Sequence, residues 1–444
     1  MSLPAEPVSD KQPNRLALWM QSTGGVVAVL IVVQFLTGVL LAFYYVPSVD
    51  HAHATVSYIE KIVSSGSWLR ALHHYGSQWL ALFAFLHVLR LFWSKAYVDR
   101  RIGWIAAVLL LVLVIAAAGT GYSLPWDARA FFSTRVAEGL MGGLPFVGRL
   151  ARLWLLGGTS ISTITLSRFF ALHVLVTPFL ILAVTLWVIV WRFSRKTCWS
   201  NVSRNAIAGG LVFVALALWC LKYPAPLGPA AEAVSAEYLP RPGAQFLWLY
   251  QSLKYIPGGL GSIVGVVFPG VGLLILALLP WLNRSAKSRT PLLGRVVLAG
   301  FALWIVTTTI AAHLSDRRDP RTHEQLARQA AQESAWRSEP FMPTSLQSSQ
   351  LRSQTSSAGG APVLYLKFCA DCHGAHGEGA QRGTLKFPPL LDVGAKPRRT
   401  PEDIVDLLKN PPAYGLQPPM RSFADKLTDE QMREIAAWVV TLKK

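Results

Sequence analysis

The stretch that decides the fold lies between Trp68 and Lys95 and reads WLRALHHYGSQWLALFAFLHVLRLFWSK. It is apolar enough and long enough to cross a bilayer as one helix. His73 and His87 are fourteen residues apart, close to four helical turns, so both imidazoles face one side, roughly 21 Å apart. Ionisable groups inside a membrane helix are costly and mark function by default. The pair indicates either two stacked haems, with opposite ligands from another helix, or two unrelated polar residues facing the bundle interior.

The composition is that of a multi-span membrane protein. The chain has 444 residues, 52% of them hydrophobic and only 15% charged, and several apolar runs exceed the length of one span. Its net charge of +18 lies outside residues 361–444, where acidic and basic residues nearly balance. The excess positive charge therefore lies in the membrane part, where basic loops determine which side of the bilayer each connection occupies. We expect no nucleic-acid partner. The polar start and the long first apolar run indicate that there is no cleavable signal peptide.

Seven spans are predicted, at about 22–45, 69–93, 104–124, 169–191, 206–221, 260–282 and 292–312. The connections after the second, fourth and sixth spans are rich in Lys and Arg. These connections and the N-terminus should therefore be cytoplasmic. An odd number of spans places everything after residue 313 on the outer side.

Four segments follow from this pattern. Residues 1–200 and 201–315 are a four-helix and a three-helix membrane domain. Residues 316–360 are a polar helical stalk followed by a linker rich in Ser and Gln, and residues 361–444 are a small globular domain. The predicted fold class is all-α: a polytopic membrane helix bundle of about seven spans with a small C-terminal soluble all-α domain.

The C-terminal domain carries a c-type haem attachment motif, Cys369-Ala-Asp-Cys372-His373. Two thioethers would hold the porphyrin covalently, and the adjacent histidine would reach the iron. A zinc site is the alternative, but it requires a second pair of ligands. The only other cysteines, Cys198 and Cys220, are far away in sequence, so haem c is the predicted cofactor.

The sixth iron ligand should be a downstream Met or His. Met420 precedes a C-terminal helix predicted to start near Thr428, Met432 lies within that helix, and His376 is close to the attachment motif. Met420 is therefore the predicted ligand. Histidine and methionine ligation raises the reduction potential, as suits a terminal electron acceptor. The domain resembles small class I cytochromes c over about 80 residues.

A second membrane histidine completes a candidate b-haem site. His173 lies near the outer end of the fourth span, as His73 does on the second. Together they could hold one haem by two imidazoles near the outer face. Arg70 and Arg168 precede these histidines by three and five residues, where they could meet haem propionates or simply anchor the helices at the interface.

The membrane part resembles cytochrome b of the cytochrome bc complexes, particularly the chloroplast-type branch. The resemblance covers roughly residues 15–312, and residues 205–312 look like the part that is a separate subunit in chloroplasts. It is carried in order by QFLTG at 34–38, LH at 72–73, LHV at 86–88, GYSLPWD at 121–127 and RFFALH at 168–173. It implies quinol oxidation, electron transfer through b haems and a Rieske-type iron–sulfur partner.

Glycines agree with that resemblance, because a haem edge requires close approach of the backbone. Gly24 and Gly38 on the first span are fourteen residues apart, which matches the spacing of His73 and His87. Gly121 on the third span would lie beside the outer haem. The matching inner position is Ala107, where the family has glycine.

The inner haem site departs from the family. The family's fourth ligand lies fourteen or fifteen residues after the position of His173, where this chain has Trp187 and Val188. His87, the remaining ligand for an inner iron, therefore has no partner on the fourth span. The inner haem is five-coordinate, is held by a ligand from elsewhere, or is missing; one haem b is predicted and a second is left open.

The quinol site departs as well. The family has a Pro-Glu-Trp-Tyr motif before the sixth span, whose glutamate takes a proton from quinol. Here the proline is followed by Gly243-Ala-Gln245. Neither Gly243 nor Gln245 can act as a base at neutral pH. Asp127, Glu232 and Glu237 are the alternatives, so the catalytic residues are unknown from the sequence.

The sequence therefore predicts an electron-transfer subunit of a bc-type, quinol:cytochrome c reductase-like complex in a bacterial-type cytoplasmic membrane, with the haem c domain in the periplasm. Whether it acts as an enzyme itself is open. Its expected partners are the lipid bilayer, a Rieske-type subunit, quinol or quinone and a periplasmic electron acceptor, with a homodimer by analogy. The alternative is a structural module that anchors the c domain and docks other subunits.

Overall fold

The chain divides into two units, Met1–Phe341 and Met342–Lys444. A computed structural model describes residues 22–194, 200–231, 238–256, 258–282, 292–341, 363–374, 376–382, 385–395, 399–415, 420, 422–424 and 427–443. Most of the predicted linker and two candidate proton acceptors, Glu232 and Glu237, lie outside these residues.

The first unit is built of helices. The described helices are α1 Thr23–Ala42, α2 Ala52–Lys61, α3 Gly66–Trp93, α4 Ala96–Asp99, α5 Arg101–Tyr122, α6 Ala128–Gly142, α7 Gly148–Leu156, α8 Thr163–Ala171, α9 Thr177–Ser194, α10 Ser200–Lys222, α11 Ala244–Lys254, α12 Phe268–Leu282, α13 Leu292–Arg318 and α14 Pro320–Ser338. A 3-10 turn covers Gly258–Leu260, and π-helical turns cover Leu172–Val176 and Ile263–Val267.

Six of the described helices are long and apolar enough to cross a membrane, namely Thr23–Ala42, Arg101–Tyr122, Thr163–Trp191, Val202–Lys222, Ile263–Leu282 and Gly294–Arg318. They correspond to six of the seven predicted spans. The remaining predicted span, the second along the chain, corresponds to α3. Its 28 residues are long enough to cross a membrane but include several polar and charged side chains. Helix α3 packs along both α1 and α5, so it lies among the spans. The chain is a multi-pass membrane protein.

The fourth span contains a π-helical turn at the position of His173. Pro178 follows this turn and has no N–H to give to the carbonyl four residues earlier, so the regular ladder breaks here. The hydroxyl of Thr177 donates to the carbonyl of Leu172 at 3.0 Å, which also accepts from the backbone N–H of Thr177. The turn adds one residue to the span and changes which later residues share the face of His173.

The core of the membrane unit lies between α1, α3, α5 and α10. Helices α1 and α10 approach closely at two glycines: a Cβ on Gly25 would lie 2.5 Å from Cβ of Asn205, and one on Gly209 would lie 2.4 Å from a methyl group of Val29. Close helix packing through small residues is typical of membrane bundles. Helix α1 also packs along α3, where it can contribute to the site described below.

The second unit is a small helical domain with α15 Val363–Phe368, α16 Ala370–His373, α17 Pro401–Lys409 and α18 Asp429–Val439. Thr428 caps α18, so the helix predicted to start near that residue is confirmed. The core includes Tyr365, Met432 and Ile435. Short strands β1 Ala380–Arg382 and β2 Leu385–Phe387 form an antiparallel pair. The all-α class is confirmed, with this hairpin as an addition.

Candidate functional site

His73 and His173 face each other across the membrane bundle. Their ring centroids are 5.9 Å apart and their planes are nearly perpendicular, at 86°. Two imidazole nitrogens each about 2 Å from one metal ion would place the ring centroids about 6 Å apart. His73 lies on α3 and His173 lies on the π-helical turn after α8, so the fold brings together two residues that are a hundred positions apart. Their geometry suits an iron ion between them.

Hydrogen bonds orient both rings towards the space between them. Nδ1 of His173 donates to the carbonyl of Ala117 at 2.9 Å. Nδ1 of His73 lies 2.9 Å from Oγ1 of Thr37, whose own proton goes to the carbonyl of Val33. Thr37 therefore accepts from His73. Both Nδ1 atoms carry the proton, which leaves each Nε2 with the lone pair that a metal requires.

Two of the predicted glycines lie directly against these rings. A Cβ on Gly38 would lie 3.0 Å from Cε1 of His73, and one on Gly121 would lie 2.4 Å from Cε1 of His173. The sequence analysis assigned these glycines to the edge of a haem. The structure gives them a further role, because they leave room for the imidazoles themselves.

Replacing Gly121 with Ala should lower the amount of low-spin haem b per chain. The new methyl group would overlap Cε1 of His173, and overpacking of this kind costs about 1–3 kcal/mol. Each 1.4 kcal/mol changes a binding constant about tenfold. The measurement is haem b per polypeptide in purified protein.

Gly119→Ala is the matched control. Gly119 lies on the same helix, and a Cβ there would meet nothing within 4 Å. We expect this variant to retain its haem b. Equal haem contents in the two variants would contradict the assigned contact.

A cavity of about 490 Å³ contains both histidines. Its wall is mainly apolar, with polar groups from several elements, among them His74, Asp127, Arg129 and Gln245. The sequence alone does not identify Arg129 and His74 as wall residues. His74 was visible in the opening stretch, but nothing near Arg129 in the sequence indicates its position. The cavity thus joins the candidate haem site to the altered quinol motif.

The two predicted propionate-binding arginines differ in position. Arg70 is buried, lines the cavity, forms a 2.7 Å ion pair with Glu60 and donates to the carbonyl of Ala225. Arg168 is exposed, donates to the carbonyl of Trp154 and is not part of the cavity wall. The structure therefore brings Arg70, but not Arg168, to the cavity.

The inner histidine repeats half of the outer arrangement. Nδ1 of His87 lies 3.0 Å from the hydroxyl of Thr23, and a Cβ on Gly24 would lie 3.0 Å from Cε1 of His87. Thr23 and Gly24 precede Thr37 and Gly38 by fourteen residues, as His87 follows His73. The first half of a second, equivalent site is therefore present on α1 and α3.

The position four turns after His173 on the fourth span follows from helix geometry. In a regular helix, position 187 would lie on the same face as His173, four turns later. The π-helical turn contains one extra residue, so position 188 lies on that face instead. Trp187 is half exposed, whereas Val188 is less exposed. Valine has no lone pair for a metal ion.

The altered quinol motif also lies at the cavity. The backbone N–H of Gly243 donates to the hydroxyl of Tyr122 at 2.7 Å. The amide of Gln245 lines the cavity, and its Oε1 is buried without a hydrogen-bond partner among the described residues. Asp127 also lines the cavity, but its two oxygens accept from the backbone of Ala130 and Gly228 at 2.8 Å each. Asp127 therefore has a structural role at the start of α6.

The second unit presents its attachment motif at the edge of its core. Cys369 is buried and Cys372 is half buried. Burial, and to a smaller extent the nearby Cys372, raise the pKa of the Cys369 thiol to about 12. Nδ1 of His373 donates to the carbonyl of Pro388 at 2.9 Å, which leaves Nε2 for a metal. Met420 packs partly buried against the core.

These two sites define a class of protein: a membrane helix bundle with a paired-histidine pocket, joined to a domain with a haem c attachment motif. Comparisons with known proteins agree. A family model described as Cytochrome b/b6/petB matches residues 8–194, and one described as Cytochrome c matches residues 359–443. The cytochrome b of Cereibacter sphaeroides is 31% identical over 312 residues, which cover 60% of this chain and 70% of that protein.

The chain belongs to the cytochrome b family, and it carries a cytochrome c domain at its C-terminus. The two domains imply haem b and covalently attached haem c, and they make the chain a bc-type electron-transfer subunit. The fold agrees: a chain of a hyperthermophilic respiratory Complex III superposes with a TM-score of 0.54 at 22% identity, over 72% of this chain and 89% of that one.

Proposed function

We propose that the chain passes electrons from a quinol to a periplasmic acceptor as a subunit of a quinol:cytochrome c reductase-like complex. A b haem held by His73 and His173 would supply the one-electron step inside the membrane. A c haem attached to Cys369 and Cys372, with His373 and Met420 on its iron, would receive the electron outside. The 5.9 Å perpendicular pair of imidazoles is the observation that carries this proposal.

The proposal includes one complete b-haem site and one incomplete site. Counting through the π-helical turn gives Val188 as the position that would face His87. Gly243 occupies the position where the family has a proton-accepting glutamate. A two-branch quinone cycle sends one electron of the quinol across the membrane through two b haems. We infer that this chain does not complete such a cycle alone, because the inner relay and the proton acceptor are both altered.

A Rieske-type iron–sulfur subunit and a second copy of the chain are the proposed partners. The structural neighbour is described as a respiratory Complex III, which supports assembly with other subunits by analogy. Co-purification of a second polypeptide with an iron–sulfur signal tests the first partner. Retention of the chain as a particle of one polypeptide would contradict both partners.

The experiment for the redox function is a count of haems followed by reduction with quinol. Pyridine haemochrome spectra of the purified chain should give one haem c and at least one haem b per polypeptide. Addition of a hydroquinone to the assembled complex should then reduce both. A protein with haem c alone would instead support the alternative function, a structural anchor for the c domain, which Val188, Gly243 and Ala107 favour.

We propose that the c domain faces the periplasm of a bacterial-type cytoplasmic membrane. Support comes from the basic loops after the second, fourth and sixth spans and from the odd number of spans. Protease added to intact spheroplasts should release a haem-staining fragment about the size of residues 345–444. Cleavage only after lysis would place the domain on the opposite side.

A further inference from the structure

Helix α14, Pro320–Ser338, is the polar segment that the sequence predicts to be a stalk. It has no fully buried residue, yet its half-buried positions repeat along one face and include Gln329, Glu333 and Arg337. These three residues are four positions apart, so they form one stripe on the helix surface. We call them the clamp stripe.

The clamp stripe bonds the backbone between α10 and α11. The side-chain amide of Gln329 both accepts from the N–H of Leu239, at 3.0 Å, and donates to its carbonyl, at 3.2 Å. Glu333 accepts from the N–H of Leu227 at 3.0 Å. Arg337 donates to the carbonyl of Ala225 at 2.8 Å. This connection is therefore held at both ends, and it includes Pro226, part of the cavity wall.

The clamp stripe also pairs with charges that reach the cavity. Glu333 forms an ion pair with Arg129. Arg337 lies 3.6 Å from Glu60, which in turn pairs with Arg70 at 2.7 Å. The side chains of Glu60 and Glu333 are only 7% and 12% exposed, so solvent screens these charges weakly. Arg129 and Arg70, the arginines at the two ends of this series of ion pairs, both line the cavity.

The C-terminal end of α14 is held as well. Nζ of Lys61 donates to the carbonyls of Trp336 and Glu339 at 2.6 and 2.8 Å and lies 3.9 Å from the centre of the Trp336 ring. A cation at this end satisfies free carbonyls and interacts favourably with the helix dipole. Helix α14 therefore has a defined position on α2, α6 and the α10–α11 connection.

We propose that Glu333 and Arg337 are positioning residues of the outer cavity, which hold Arg129 and the Arg70–Glu60 pair on its wall and set the electrostatic potential at the site of His73 and His173. Helix α14 is then part of the redox site and more than a spacer before the c domain. The predicted effect on the b haem rests on the proposed function, whereas the contacts of the clamp stripe with the α10–α11 connection do not.

The proposal predicts opposite effects of two neutral substitutions. Glu333→Gln removes a negative charge, which leaves Arg129 less compensated and favours the reduced iron, so the midpoint potential of the b haem should rise. Arg337→Gln removes a positive charge, so the potential should fall. Loosening of the fold would move both variants in one direction, so opposite signs distinguish the electrostatic effect from damage to the structure.

The same helix offers matched controls. Glu324 and Arg328 form an ion pair four residues apart, with side chains 66% and 60% exposed. Glu324→Gln and Arg328→Gln make the same charge changes in a screened position, so the potential should stay at the wild-type value. Shifts as large as those of the stripe variants would overturn the proposal, as would shifts of equal sign in Glu333→Gln and Arg337→Gln.

Hydrogen exchange tests the clamp without any haem. In the full-length protein the amides of Leu239 and Leu227 should exchange faster in Gln329→Ala and Glu333→Ala, respectively, than in wild type and Glu324→Ala. Unchanged exchange at both amides would overturn the clamp. Absence of haem b from the wild-type protein would refute the proposed function separately, with the exchange result still deciding whether the clamp exists.

Discussion

Replacing either His73 or His173 with Ala should remove the low-spin b-haem spectrum that depends on the outer site. The two rings face each other at 5.9 Å, and each Nδ1 is engaged by Thr37 or Ala117, so the two Nε2 atoms are the nitrogens available for one iron. Removal of either ring leaves at most one protein ligand. Optical and paramagnetic resonance spectra of the purified variants measure this loss directly.

His74→Ala is the matched control for that experiment. His74 is the next residue in the same helix, it lines the same cavity, and its Nε2 bonds the side-chain amide of Gln78 at 3.1 Å. We expect this variant to keep its low-spin signal. An unchanged b spectrum in both His73→Ala and His173→Ala would contradict the assignment, and loss only in His74→Ala would transfer the ligand role to the neighbouring residue.

A redox titration of the wild-type protein should show one low-spin b transition beside one c-type haem. His87 is present with Thr23 and Gly24 in the arrangement of the outer site, but the opposite position is Val188. A five-coordinate haem, which is high-spin, and an empty inner site both agree with this result, whereas a haem with a second ligand from elsewhere would add a low-spin transition. Two low-spin b transitions per chain would defeat the prediction.

Val188→His should restore a second low-spin b haem, and Trp187→His should not. The π-helical turn Leu172–Val176 adds one residue, which places position 188 on the face of His173 four turns later. Trp187 is half exposed on the outer surface of the bundle. The two variants introduce the same imidazole at neighbouring positions. Their redox titrations therefore show whether position 187 or position 188 faces the inner haem site. A gain in Trp187→His alone would refute the register that the structure indicates.

The inner relay is needed because the distance is long. Fourteen helical residues separate the two levels by about 21 Å, and the outer site alone does not reach the inner face of the membrane. Loss of a ligand at Val188 and loss of a carboxylate at Gly243 affect the same route. The proposed alteration of the quinone cycle would account for both changes together.

The sequence by itself determined the features that depend on near neighbours along the chain. Apolar runs of sufficient length predict spans, and six of the seven appear as helices that satisfy the length and composition of a span. Spacing of fourteen residues placed His73 and His87 on one face of α3. The Cys369–His373 motif indicated covalent haem c without any tertiary information, because the attachment chemistry requires only five consecutive residues.

The tertiary structure decided the features that depend on contacts between distant segments. No local pattern indicates that Glu333 meets Arg129, or that Arg70 reaches the cavity while Arg168 does not. Polar stripes such as that of α14 have no hydrophobic period to mark them, since their partners are backbone groups and charges elsewhere in the chain. Hydrophobic periodicity arises from the bilayer and the core, whereas the pairing of polar groups becomes defined only once packing brings them together.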